Sequence, residues 1–132
     1  MDIIADLLLQ WCRKVCSFHE LKVDNFSGSF TDGRVLSRLI AHYQPSIVRR
    51  DDVCDVTTTN YDASQDTHSY EQLVQNEKSN FSLVKQACYQ LGGIPGILRI
   101  DDMCGTIPDA KVVKLIVAYL FTRLSDTKSE DR

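Results

Sequence analysis

Asn25-Phe-Ser-Gly-Ser-Phe-Thr-Asp-Gly-Arg-Val-Leu-Ser-Arg-Leu-Ile-Ala-His-Tyr-Gln-Pro45 is the stretch that decides the fold of this 132-residue chain. Phe26 and Phe30 form an apolar entry, Asp32-Gly33 makes a tight turn, and a periodic segment follows. Val35, Leu36, Leu39, Ile40 and Tyr43 recur at helical spacing, which predicts a helix over about 33–43. Pro45 stops it, because proline lacks the next backbone N–H and restricts the residue before it.

Helical patterns flank this stretch on both sides. Ile3, Ile4, Leu7, Leu8, Trp11, Val15 and Phe18 predict a buried stripe on a helix over about 2–18, with Asp2 as its cap. Ser69-x-x-Gln72 reads as a capping box that opens a helix over about 70–91, with Tyr70, Leu73, Val74, Phe81, Val84, Cys88 and Leu91 along one face. Gly92-Gly93 and Pro95 end it. Thr106-Ile-Pro-Asp109 repeats the capping logic before a helix over about 108–124. Residues 112–124 are apolar nearly all round, so this last helix is expected at the centre of the core. The expected fold is all-α: four main helices plus short connecting helical turns. Residues 1–126 form the domain, 55–69 a polar loop insertion and 127–132 a polar tail.

Composition narrows the function classes. Hydrophobic residues are 43% and charged residues 25%, the balance of a globular chain of one domain. A net charge of -3 gives no basis for a nucleic-acid partner, so any electrostatic function must come from local clustering. No apolar run approaches the ~20 residues that span a bilayer, so no membrane partner is expected. Five cysteines, an odd number lying mostly in apolar-periodic segments, read as free buried thiols of an intracellular protein.

In this order, Leu7-Leu-Leu-Gln-Trp-Cys12, the 25–45 stretch, Asn80-Phe81 leading to Leu91-Gly92, and Asp101-Asp102-Met103 before Ile107-Pro108-Asp109 resemble the motifs of the calponin homology domain. Val15-Cys16-Ser17-Phe18, Asn76-Glu77-Lys78-x-Asn80-Phe81 and Leu91-Gly92-Gly93-Ile94-Pro95 are most similar to the abnormal spindle (ASPM) group, nearest its second such domain. The resemblance implies a non-catalytic cytoskeletal module that binds microtubules or F-actin, or that packs on a neighbouring domain of the same family. It also implies action in the cytoplasm and cytoskeleton at spindle poles, with nuclear residence in interphase, in mitosis and cell division at the centrosome. It carries no cofactor.

Residues 33–50 hold four arginines and no acid. On a helix, Arg34, Arg38 and His42 fall about 40° apart, opposite Leu36, Leu39 and Tyr43. They form an expected basic ridge that Arg49 and Arg50 extend, suited to the carboxylates of acidic filaments. The competing reading is a solvated helix face whose arginines pair with acids elsewhere in the domain. Arg13 and Lys14 are secondary basic candidates, and Trp11 is expected in the core. Cys12, Cys16 and His19 lack a fourth zinc ligand nearby, and Asp101-Asp102 lacks the rest of a calcium loop. Gly92-Gly93-Ile94-Pro95-Gly96 follows no strand and has no Lys-Ser/Thr, so it is no phosphate loop. Glu77 and Asn80 face inward, and Asn80 is expected to satisfy backbone groups of a neighbouring connector. Thr57, Thr58, Thr59, Ser64, Thr67 and Ser69 are phosphate-acceptor candidates in the polar loop.

Overall fold

The computed structural model describes residues 3–59, 69–91 and 109–126. The Asp2 cap, most of the polar loop, the Gly92-Gly93 and Asp101-Asp102 motifs, Pro108 and the tail lie outside the described residues. Four helices follow in order: α1 (Ile3–Ser17), α2 (Arg34–Tyr43), α3 (Tyr70–Gln90) and α4 (Ala110–Asp126). Short 3-10 turns at Gly28–Phe30 and Arg50–Asp52 complete the described elements, none of which is a strand. The sequence boundaries hold to within two residues, α4 starting and ending slightly later than its pattern suggested.

The centre of the domain is α2, not α4. It packs against α1, α3, α4 and both 3-10 turns, and residues 35–41 are buried without a break. α4 instead buries one face (Val113, Ile116, Val117, Leu120, Leu124) and leaves Leu115 and Phe121 exposed. Apolarity all round α4 therefore overstates its burial. The polar residues of α2 understate its burial, because each has a partner inside the fold: Ser37 donates its hydroxyl to Gly33 O at 2.6 Å, and Arg34 and Arg38 pair with aspartates.

Local chemistry fixes how the chain enters α2. Gly33 has φ +77, and a Cβ there would lie 2.8 Å from Asn80 Cβ, so glycine is required both for the left-handed turn and for the close approach of α3. Asn25 Oδ1 accepts from Ser27 N–H at 2.9 Å, an Asx turn that starts the entry. Phe26 and Phe30 then stack with ring centroids 5.9 Å apart over the core. Ser69 caps α3 by accepting from Gln72 N–H at 3.1 Å, while the Gln72 side chain bonds forward to Asn76 rather than closing the reciprocal half of the box.

A buried polar clamp ties residues 53–59 to α3. Asn80, fully buried, donates to Asp32 O at 3.0 Å and Cys54 O at 2.9 Å and accepts from Cys54 N–H at 2.8 Å. Asn76 donates to Val56 O, and Glu77 accepts from the Thr58 backbone N–H and hydroxyl. Asn80 does the backbone satisfaction expected of it, and the clamp positions the Arg50–Asp52 turn beside α2.

Candidate partner-binding surface

The basic ridge expected along α2 does not stand out from the domain. Arg34 turns back on its own turn, its Nε 2.6 Å from Asp32 Oδ2, with side chains 15% and 2% exposed. Arg38 is buried; its Nη2 donates to both Asp55 carboxylate oxygens at 2.7 and 2.8 Å, and its Nη1 donates to Arg50 O at 3.3 Å. A helix surrounded on every side has no outward face, so its arginines are held by acids of the same domain. Arg13 is likewise committed, donating to Val23 O and Asp24 O and fastening α1 to the following segment.

The remaining candidates occupy the end of the domain where α1 and α2 finish. Lys14, Arg49 and Arg50 are exposed and take part in no ion pair among the described residues. His42 is half-buried, stacked on Phe18 with centroids 5.5 Å apart. Its Nδ1 lies 3.4 Å from His19 Nε2. His19 Nδ1 is buried with no partner, so the neutral pair is best satisfied when His19 Nε2–H donates to His42 Nδ1. That leaves a bare lone pair in the interior rather than an orphaned N–H. Burial, followed by Arg50, Arg38 and His42, lowers the His19 pKa below the usual imidazole value.

Outward from this pair runs a seam of aromatic rings. Tyr43 meets His42 edge-on at 5.1 Å, and Trp11 lies 6.0 Å from Tyr43 and donates its indole N–H to the Tyr43 hydroxyl at 2.9 Å. Phe121 of α4 meets Trp11 edge-on at 5.2 Å. Rings from three helices thus form a continuous, partly exposed strip, flanked on α1 by exposed Ile4 and Leu7.

Phe18, Ile3, Ile4 and Leu7 are exposed where the sequence pattern put them in the core. The buried side of α1 is Ala5, Leu8, Cys12, Val15 and Cys16. At 100° per residue the apolar residues of α1 from Leu7 round to Cys16 cover an arc of about 180°, far wider than one supporting face needs. That excess width was the available sign of a second, outward apolar face. Trp11 is half-buried on the boundary between the two.

Burial raises the thiol pKa of Cys12 and Cys16 to about 12, consistent with small core residues rather than ligands. Among the described residues no cluster of three histidine, cysteine or acidic side chains could hold a metal ion. Nor is any described helix long and apolar enough to cross a membrane.

Comparison with known proteins matches this architecture. The family model described as "Calponin homology (CH) domain" matches residues 3–126. The "Abnormal spindle-like microcephaly-associated protein homolog" of Macaca fascicularis is 37% identical, over 96% of this chain and 4% of its own length. The Bos taurus homolog is 38% identical over 96% of the chain and 5% of its length, and the Homo sapiens protein 38% over 96% and 4%. The chain therefore spans only a small part of these relatives. With four helices in place, the Asp32-Gly33 turn at the hub and a family match along nearly its whole length, this chain belongs to the calponin homology domain family.

Proposed function

We propose that this domain, taken as residues 1–126, is a non-catalytic cytoskeletal module of a spindle-pole protein that binds microtubules or assists their binding. The observation that carries the reading is the end of the aromatic seam. There Arg50 lines one cleft with Phe18 and His42, and Lys14, Arg49 and Arg50 are exposed without ion pairs among the described residues. Tubulin tails and actin surfaces are acidic, and unpaired cations next to exposed rings suit them. Relatives named for the abnormal spindle favour the microtubule and a site of action at spindle poles.

Co-sedimentation with microtubules and with F-actin over a salt series tests this. Microtubule binding is expected to weaken steeply with salt, and Arg49→Glu plus Arg50→Glu is expected to reduce it by about tenfold or more. Undiminished binding by that variant refutes the site, and binding to F-actin alone transfers the function to the other filament. A second reading draws on the exposed apolar residues Ile4, Leu7 and Phe121. On it the domain acts as an adaptor that packs on a neighbouring domain of the same family. Failure of the isolated domain to bind either filament, with rescue in a tandem protein, favours that reading.

A further inference from the structure

We propose that the cleft between the C-terminal ends of α1 and α2 is a docking site for an acidic peptide of a partner protein. It would seat one aromatic or branched aliphatic side chain next to a carboxylate. The proposal depends on the partner surface described above for its location, but not on which filament that surface meets.

Phe18, His19, Ala41, His42, Pro45 and Arg50 line the cleft, whose volume is about 470 Å³. That size lies within the ~300–1,000 Å³ of clefts that enclose small ligands. Its walls mix apolar and polar surface, with Phe18, 65% exposed, and Arg50 among the residues that line it. Aromatic and aliphatic wall residues beside a cation that forms no ion pair among the described residues fit a large side chain adjacent to an anion. They fit neither a plain polyanion nor a plain apolar helix.

No acidic residue is among the described residues lining the cleft. Side chains of a 3-10 turn diverge by about 120° per residue; Asp51 lines a neighbouring depression with Arg38, Val53 and Asp55, and Arg50 borders both that depression and the cleft. Helix C-termini ordinarily repel anions through their free carbonyls. Here several end carbonyls already accept bonds: Val15 O from Phe18 N–H, Cys16 O from His19 and Leu21 N–H, and Ile40 O from Gln44 N–H. Lys14, in the last turn of α1, is a second exposed cation with no ion pair among the described residues.

Fluorescence anisotropy with a labelled short polyglutamate peptide carrying one central phenylalanine, titrated with the whole chain, tests the proposal. Saturable binding is expected. Replacing the peptide's phenylalanine by alanine, or making Arg50→Glu or Phe18→Ser in the protein, should each weaken it by about tenfold or more. Lys78→Glu on α3 should leave it unchanged. Both cleft variants alter exposed side chains. Should either lose its fold, chemical-shift mapping on the unmodified protein reads the same question, with perturbations expected at Phe18, His19, His42 and Arg50. Equal binding of the all-glutamate peptide, shifts confined to other surfaces, or binding only to phosphatidylserine vesicles would each overturn it. Absent peptide binding with intact microtubule binding removes the docking site and leaves the filament reading standing. Peptide binding without microtubule binding supports the docking site alone.

Discussion

Replacing Arg34 and Arg38 together by glutamate is expected to unfold much of the domain rather than merely strip charge from its surface. Arg34 and Asp32 form a nearly buried pair, 15% and 2% exposed. Removing one partner of such a pair costs about 3–5 kcal/mol. A glutamate in the first turn of α2 recovers roughly 0.3–1 kcal/mol from the helix dipole, leaving about 2–4 kcal/mol. The Arg38 side chain is 9% exposed but Asp55 is 65% exposed, so solvent screens that pair and its loss costs about 1–3 kcal/mol. Together the two changes remove about 3–7 kcal/mol from a domain whose whole stability is of the order of 5–15 kcal/mol. Urea unfolding followed by the fluorescence of the lone tryptophan, Trp11, reads this directly. With a slope near 2 kcal/mol per molar urea, the midpoint should fall by roughly 1.5–3.5 M. A double variant with the wild-type midpoint would refute the pairing and restore an outward basic ridge on α2. Loss of filament binding by that variant is therefore uninformative about contact. The exposed Arg49 and Arg50 are the positions at which charge reversal probes binding.

Three further outcomes follow from the clamp, the turn and the histidine pair. Asn80→Ala strands Asp32 O, Cys54 O and Cys54 N–H, so a loss of about 2–4 kcal/mol is expected in urea unfolding; a loss under about 1 kcal/mol would mean that water replaces the amide. Gly33→Ala forces a Cβ against Asn80 and into a left-handed turn, and should destabilise by more than the ~1 kcal/mol of the backbone conformation alone; a neutral result would show that α2 and α3 can separate. His19 has a pKa lowered by burial and neighbouring cations, so the folded chain binds fewer protons at this site than the unfolded chain. Its contribution is full above the unfolded value of about 6.5 and is lost as pH falls below it through the folded value. His19→Gln should flatten that part of the stability profile, and an unchanged profile would assign the slope to another group.

The helices, their order and most of their ends were legible in the sequence. Each is written in short-range chemistry: Ser69 caps α3, Gly33 takes the left-handed turn, and the apolar spacing of α2 has helical period. The role of Asn80 was also legible, since an inward amide must bond to something. Two things could be decided only by tertiary structure. Periodicity states which residues share a face, but not how many neighbours a helix has. The polar residues of α2 were therefore taken for a solvent face although α1, α3 and α4 enclose it, and the apolar circumference of α4 was taken for burial on all sides. Partner choice is equally non-local. Arg38 finds Asp55 and Asn80 finds Cys54 across long chain separations, while Arg49 and Arg50 form no ion pair among the described residues. A guanidinium attracts any carboxylate that folding brings near, so the sequence could nominate the basic residues. Only the packed domain separated those it consumes in internal pairs from those it leaves exposed.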